Sequence, residues 1–238
     1  MHAREIEYQA DDRSLIGTMY RPEGAGPWPG VVVFHEGPGL DDHAKERAAR
    51  LAELGYVAFA ADYHGGGVRL PMDQAMARLV ELMGAPERIR SLARAALDVL
   101  LAESGVDADR IAAIGYCFGG TTALELARSG APVHATVGFH SGLQTASPGD
   151  AAAIVGAVLV CIGADDTMVP LAQRTAFEEE MRGGGVDYRI NVYGGAVHSF
   201  TNKAADALGL PVLKYHALTD ERSWRAMIDL FDETFGPR

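Results

Sequence analysis

The stretch that most constrains the fold lies near the middle of the chain, at residues 110–128. It begins with a short apolar run, residues 111–114, that has the length and composition of a buried parallel strand. It ends with residues 121–128, which are rich in helix-forming side chains and contain no glycine or proline. Between the two runs lies a glycine-rich turn. The order predicts a strand that passes through a sharp turn directly into a helix.

The turn reads Gly115-Tyr-Cys117-Phe-Gly119, with Gly120 next. A strained strand-to-helix turn that presents a nucleophile needs small residues two positions before and after it, and Gly115 and Gly119 meet that need. Cys117 stands where serine is usual, at a helix N-terminus whose dipole favours a thiolate. The alternative is a buried cysteine in a glycine-rich turn without chemistry. The strand and the helix on either side favour the nucleophile.

The composition of the chain limits the classes of protein to which it can belong. Its 238 residues, 48% of them hydrophobic, suit one α/β domain spanning residues 1–238. A net charge of −11 at pH 7 argues against nucleic acid or an anionic membrane as a partner. No apolar run approaches the roughly 18 residues of a membrane span, and the N-terminus has no signal-type segment. With two cysteines, Cys117 and Cys161, the sequence predicts a cytoplasmic protein, monomeric or homodimeric.

Apolar periodicity predicts the rest of the architecture. Residues 3–9 and 14–20 alternate apolar and polar side chains around Asp11-Asp12, as in an antiparallel hairpin, and a proline- and glycine-rich loop follows at residues 21–30. Further strands are predicted at residues 31–34, 57–61, 135–139, 157–162 and 186–193. Helices are predicted at residues 42–54, 72–83, 87–102, 171–182 and 216–234. The alternation indicates a mostly parallel, doubly wound sheet with helices on both faces and an N-terminal antiparallel hairpin.

Side chains that can act as nucleophile, acid or base follow four of the predicted strands. They are His35-Glu36, Cys117, Asp165-Asp166 and His198. Because reactive groups gather at the C-terminal ends of parallel strands, we expect these side chains to meet. Their order of nucleophile, acid and histidine is that of α/β-hydrolases: His198 can take the thiol proton, and a carboxylate can fix its ring. Asp165 and Asp166 cannot both point inward, so the residues alone leave the choice between them open.

Four spaced motifs resemble the dienelactone hydrolase family, over most of the chain from about residue 28 to 234. They are His35-Glu36-x-x-Gly39-Leu40, Gly115-Tyr-Cys-Phe-Gly-Gly120, Gly163-x-x-Asp166-x-x-Val169-Pro170 and Gly195-x-x-His198-Ser-Phe200. The resemblance implies an α/β-hydrolase fold, Asp166 as the triad acid, and Glu36 beside the nucleophile, where it governs whether the thiol is armed. A nearby carboxylate would disfavour the thiolate or accept the thiol proton. The alternative for Glu36 is a salt bridge within its own loop.

The expected oxyanion hole consists of main-chain amides. The N–H of Phe118 directly follows the nucleophile, and the resemblance implies the N–H of Gly37 as the second donor. The family binds the carboxylate of its anionic lactone through arginines, one of them four residues after the histidine, where this chain has Asn202. Arg69 and Arg78 are candidates for a second anchor. We therefore expect the family reaction on a different substrate.

Other residues near the strand ends are candidates for the pocket wall. Tyr63 and His140 end strands, and Asn202 follows the histidine motif; each has a structural role as its alternative. The helix predicted at residues 72–83 carries methionines at helical spacing, which is typical of an adaptable pocket wall or of plain core packing.

The sequence therefore predicts a hydrolase in which Cys117 attacks an activated ester or lactone, forms a thioester, and is released by water that His198 activates. The predicted substrates extend to phosphotriesters, because their transition state also builds charge on an oxygen. The alternative class is a non-catalytic or redox-sensing protein on the same scaffold, with Cys117 as the reactive thiol. No cofactor is predicted, and no metal, since Cys117, Asp166 and His198 match no close-spaced zinc pattern.

Overall fold

The computed structural model describes residues 1–236, which contain eight strands and six α-helices. The strands are β1 (His2–Ala10), β2 (Arg13–Arg21), β3 (Trp28–Phe34), β4 (Val57–Ala61), β5 (Val106–Tyr116), β6 (Ala135–Phe139), β7 (Ala157–Gly163) and β8 (Tyr188–Tyr193). The helices are α1 (Asp42–Glu53), α2 (Met72–Met83), α3 (Pro86–Leu101), α4 (Phe118–Arg128), α5 (Leu171–Gly183) and α6 (Ala217–Phe235). Two 3₁₀-helices lie at Pro148–Ala153 and Lys203–Leu208.

All eight strands belong to one sheet, in the order β1-β2-β4-β3-β5-β6-β7-β8. The hairpin of β1 and β2 is antiparallel and joins β4 in the antiparallel sense, whereas β4, β3 and β5 to β8 run parallel. Asp11 and Asp12, at φ 54° and 56°, form the hairpin turn, because two left-handed residues match the twist of the flanking strands. The predicted sheet type and N-terminal hairpin are confirmed.

Helices cover both faces of the sheet. On one face α1 packs against Val31 and Val33 of β3, and α6 covers β5, β6 and β7 in the same apolar cluster. On the other face α3 and α4 pack against Val32 and Phe34, and α5 continues that layer. Central strands buried on both sides need apolar side chains at successive positions, which explains the continuous apolar runs of the sequence. Within residues 1–236, no helix is both long enough and apolar enough to cross a membrane.

Several element boundaries differ from the predictions, and three of these differences have a clear structural reason. Strand β3 begins at Trp28, inside the predicted loop, because Trp28 and Pro29 pair with Val106 and Asp107 at the start of β5. Helix α4 begins at Phe118 instead of residue 121, so Gly119 and Gly120 are helical. The 3₁₀-helix Lys203–Leu208 was not predicted; it begins where the Asn202 side chain accepts the N–H of Ala204 at 2.9 Å.

Candidate active site

Cys117 lies between β5 and α4, at φ 54° and ψ −120°, a conformation that few residues other than glycine adopt. The turn is sharp because α4 approaches the sheet closely. A Cβ atom on Gly119 would lie 2.3 Å from the carbonyl oxygen of His35, and one on Gly115 would lie 2.0 Å from that of Gly119. The half-buried thiol therefore stands on a backbone that only these glycines permit, as the motif predicts.

His198 and Asp166 form a buried pair. Asp166 lies in the loop after β7, and His198 lies in the loop after β8. Nδ1 of His198 lies 2.8 Å from Oδ2 of Asp166, and Oδ1 of this carboxylate accepts the N–H of Met168 at 2.8 Å. Asp166 is buried, whereas Asp165 is exposed to solvent. The geometry therefore distinguishes the two adjacent carboxylates, which the residues alone did not.

The charge state of His198 depends on both neighbours. Burial disfavours its charged form, but the charge of Cys117 and the hydrogen bond to Asp166 outweigh this and raise the pKa of His198 to about 10. Nε2 of His198 is buried and makes no hydrogen bond of standard geometry within residues 1–236, although Cys117 is close enough to act on the ring. His198 is therefore an imidazolium at neutral pH, next to Cys117.

Glu36 directly follows β3 and is buried, with 5% of its surface exposed. Its Oε2 accepts a hydrogen bond from the Asn202 amide, and its Oε1 lies 3.8 Å from Nε2 of His140. Burial raises the pKa of Glu36; the Asn202 hydrogen bond partly offsets this and the charge of Asp41 reinforces it. Glu36 forms no ion pair with lysine or arginine among the described residues, in contrast to the loop salt bridge considered above.

The loop after β3 is held from behind by two aromatic side chains. The hydroxyl of Tyr63 donates to the carbonyl of His35 at 2.7 Å, and Nε2 of His64 lies 2.7 Å from the carbonyl oxygen of Gly37. Phe118 is the first residue of α4, and a helix leaves its first amides without partners in the helix itself. Of the two predicted oxyanion-hole residues, Gly37 thus lies in a loop whose carbonyl is held by His64, and Phe118 lies at the start of a helix.

A cavity of about 150 Å³ contains the candidate residues Glu36, Gly37, Cys117, His198 and Asn202 in its wall. The remaining wall is mostly apolar. It includes Met72, Ala75, Met76 and Leu79 of α2, together with Met168, Leu208 and Leu213. Among the described residues, Arg69 and Asp41 are further charged groups of this wall. The methionine-bearing helix thus forms one side of the cavity.

Three predicted pocket residues lie elsewhere. Tyr63 and His140 are buried behind the cavity, with 1% and 0% of their surfaces exposed, so they are not part of its wall. The reason is that each side chain bonds to the loops that carry the site: Tyr63 to the loop after β3, and His140 to the turn of Cys117. Arg78 is buried in ion pairs with Glu81 and Asp11, which leaves Arg69 alone of the two candidate arginines in the wall.

A larger cleft, of about 690 Å³, lies between α1 and the start of α6. It contains neither Cys117 nor His198, and its Arg47 already donates to the carbonyl of Thr201 and to Asp220. We therefore place the candidate site in the smaller cavity. In the part of the chain that the structure describes, no group of three His, Cys, Asp or Glu residues is arranged to hold a metal ion. Cys161 is buried in β7, and burial raises its pKa to about 12.

The parallel sheet, the strained turn of Cys117 and the His198–Asp166 pair at the strand ends define an α/β-hydrolase. The sequence profile of the dienelactone hydrolase family matches residues 15–235, and the chain belongs to this family. It is therefore an ester or lactone hydrolase.

Three relatives illustrate the likeness. A solved structure called m3DLH is 52% identical, with a TM-score of 0.94 and 98% of each chain covered. A solved dienelactone hydrolase-like promiscuous phosphotriesterase from metagenomic libraries is 45% identical, with a TM-score of 0.93 and 98% of each chain covered. A Bradyrhizobium protein named "Probable 2-oxo-3-(5-oxofuran-2-ylidene)propanoate lactonase" is 26% identical over 229 residues, covering 92% of this chain and 89% of its own.

Proposed function

We propose that this protein hydrolyses activated carboxylic esters or lactones with Cys117 as the nucleophile, His198 as the acid and base, and Asp166 as the orienting carboxylate. One observation carries the proposal: His198 is fixed by Asp166 at Nδ1 while the charge of Cys117 raises the pKa of the same ring to about 10. A cysteine used only as a redox sensor needs neither an orienting carboxylate nor a base.

In the first half-reaction the thiolate sulfur attacks the carbonyl carbon, and the electron pair of the carbonyl moves to its oxygen. The N–H groups of Phe118 and Gly37 donate to that oxyanion. When the pair returns, the bond to the leaving oxygen breaks, and His198 donates its proton to the leaving group. In the second half, water attacks the thioester while His198 takes a proton from it. The acid leaves and Cys117 is again a thiolate.

Glu36 adjusts the charge beside the nucleophile. The carboxyl is buried and its position is set by Asn202, so its protonation changes the field at the site without a large movement. When ionised it disfavours the thiolate, and when protonated it does not. Because burial raises the pKa of Glu36, this change falls closer to neutral pH than that of an ordinary glutamate.

The cavity favours neutral and apolar substrates. Most of its wall is apolar, Asn202 occupies the position of the arginine that the family motif implies, and the Asn202 amide is already bonded to Glu36. We therefore propose activated aryl, enol or lactone esters without a carboxylate near the scissile bond. The relative described as a promiscuous phosphotriesterase supports a side activity on neutral phosphotriesters, whose attack also places charge on an oxygen.

A panel of p-nitrophenyl esters tests this proposal. We expect a higher kcat/KM for p-nitrophenyl butyrate than for the p-nitrophenyl monoester of succinate, which replaces the terminal methyl of the same acyl chain with a carboxylate. The variant Cys117→Ala should hydrolyse neither, while Cys161→Ala serves as the matched control and should retain both activities. A preference for the succinate ester would overturn the substrate assignment, and equal activity in Cys117→Ala would overturn the nucleophile.

A further inference from the structure

His140 bonds to the nucleophile's backbone and packs on the proposed base, although it is fully buried and outside the cavity wall. We infer that His140 is a positioning residue, which holds the Cys117 turn and the His198 loop in one relative placement. The inference rests on the proposed function, because it assigns the residue a role in that reaction. Two sets of contacts and the backbone conformation of His140 carry it.

The first contact is with the nucleophile itself. Nδ1 of His140 accepts the N–H of Cys117 at 3.2 Å. The carbonyl oxygen of Phe139 accepts the same N–H at 3.0 Å. Nδ1 must be unprotonated to accept this hydrogen bond, so the ring proton is on Nε2. Nε2 then donates to Oγ1 of Thr201 at 2.8 Å. Both ring nitrogens thus form hydrogen bonds, Nδ1 with the Cys117 turn and Nε2 with the loop that carries His198.

The second set of contacts is with the loop that carries the base. The rings of His140 and His198 pack edge to face, with centroids 5.0 Å apart and planes at 63°. The ring of His140 meets Phe200 in the same way, also at 5.0 Å. Thr201, which accepts its Nε2 proton, is the next residue of that loop. The orientation of the His198 ring is therefore confined by Asp166 on one side and by His140 on another.

The third observation is the backbone. His140 has φ 40°, in the left-handed region that non-glycine residues seldom adopt, and Cys117 has φ 54°. Such conformations are strained and persist only where surrounding contacts fix them. Two strained residues that are hydrogen-bonded to each other at the reacting centre indicate a built geometry and not an accident of packing.

His140 does not exchange protons in this role. Burial lowers the pKa of His140 well below its usual range, and the charges of His198, His43 and Arg47 lower it further. The carboxylate of Glu36, 3.8 Å from Nε2, is the acidic group that faces the ring. The imidazole thus stays neutral while His198 is charged, and its contribution is geometric.

Side-chain substitutions can separate the two ring nitrogens. In His140→Asn the amide oxygen branches from the same carbon as Nδ1, so it can still accept the N–H of Cys117, and asparagine tolerates a left-handed backbone. His140→Gln reaches the position of Nε2 but removes the side-chain acceptor of the Cys117 N–H, which then keeps only the carbonyl of Phe139. His140→Phe removes both polar contacts and keeps a ring. Thr201→Val removes the partner of Nε2 alone.

The matched control is His134→Asn, because Nδ1 of His134 also accepts a backbone N–H, that of Ile111, at 3.5 Å in the middle of β5 and away from the Cys117 turn. The measurements are kcat and KM for p-nitrophenyl acetate, the rate at which iodoacetamide alkylates Cys117, and the melting temperature. Alkylation reports the nucleophile without any ester turnover. A purely structural role predicts that activity follows the melting temperature in every variant.

We expect His140→Phe and His140→Gln to lower kcat about a hundredfold with KM changed little, since a misplacement of about 1 Å has that effect. Alkylation should slow in parallel. His140→Asn should stay within about tenfold of wild type, Thr201→Val should lie between the two groups, and His134→Asn should match wild type.

Two results would overturn the inference. One is wild-type kcat and alkylation in His140→Phe, or in Thr201→Val if the phenylalanine variant does not fold. The other is an equal loss in the Asn, Gln and Phe variants, which would show a packing role only. If the wild type turns over no ester, the proposed function fails, but unequal alkylation rates would still support the placement of Cys117 by His140 and equal rates would contradict it.

Discussion

Nδ1 of His198 lies 2.8 Å from Oδ2 of Asp166, and the other oxygen of that carboxylate is fixed by the N–H of Met168. The neighbouring Asp165 faces solvent. Two adjacent aspartates thus point in different directions, one into the site and one to solvent. This difference gives the molecule an internal control for every experiment on the acid of the site.

We expect Asp166→Asn to lower kcat by about 10³- to 10⁴-fold, because an amide no longer holds His198 in the tautomer and orientation that the reaction needs. The same change at Asp165 should leave kcat within about twofold, as for an exposed residue away from the chemistry. The measurement is steady-state hydrolysis of p-nitrophenyl acetate. Equal losses in the two variants would contradict the pairing of His198 with Asp166.

The titration of His198 provides a second prediction. The charges of Cys117 and Asp166 raise the pKa of His198 to about 10, so the ring stays protonated through neutral pH and loses its proton only in alkaline solution. Cys117→Ala and Asp166→Asn each remove one cause and should lower this pKa. NMR of the ring protons against pH measures it. An unperturbed pKa in the wild type, or no decrease in Cys117→Ala, would contradict the account of the pair.

Asn202 lines the cavity, and we expect it to influence which acyl groups the cavity accepts. Asn202→Arg places a guanidinium in an apolar wall, where it can bind a substrate carboxylate in two parallel hydrogen bonds. We expect the ratio of kcat/KM for the succinate ester to that for the butyrate ester to rise about tenfold or more. Lys203→Arg is the control, since Lys203 is exposed and outside the cavity wall. An unchanged ratio in Asn202→Arg would show that this position does not select charge.

Gly119 lies where α4 approaches the backbone of β3 too closely for a larger residue. A Cβ there would meet backbone oxygens of His35 and Phe34 at 2.3 and 2.4 Å, and backbone cannot move aside as a side chain can. We expect Gly119→Ala to lower the free energy of unfolding by about 3 kcal/mol or more. Gly149→Ala, where no atom lies within 4 Å of the new Cβ, should change it by less than about 0.5 kcal/mol. Urea unfolding distinguishes the two, and equal values would contradict the close approach of α4.

The parts of the fold that follow from local patterns were predictable. Apolar runs marked the parallel strands, and Asp11-Asp12 marked the hairpin turn. The start of α4 was not predictable, because glycines disfavour helices in isolation. Here the close packing of α4 on β3 requires Gly119 in the helix, and this tertiary contact outweighs its propensity.

The candidate site was likewise predictable from the sequence only in part. The order of Cys117, an aspartate and His198 along the chain indicated the site, but the choice of Asp166 over Asp165 needed the family motif and then the geometry. Tyr63 and His140 were expected in the cavity wall because they end strands. Which way such a residue points depends on its backbone angles, such as φ 40° at His140, and no local pattern encodes them.

The most direct test of Cys117 as the nucleophile is rapid-mixing hydrolysis of p-nitrophenyl acetate by wild type and Cys117→Ala, with mass spectrometry of the quenched enzyme. We expect a burst of p-nitrophenol in the wild type, equal to the concentration of enzyme, and one acetyl group on Cys117. We expect neither in Cys117→Ala. Turnover in the variant at the wild-type rate, or an acetyl group on any other residue of a competent enzyme, would contradict Cys117 as the nucleophile.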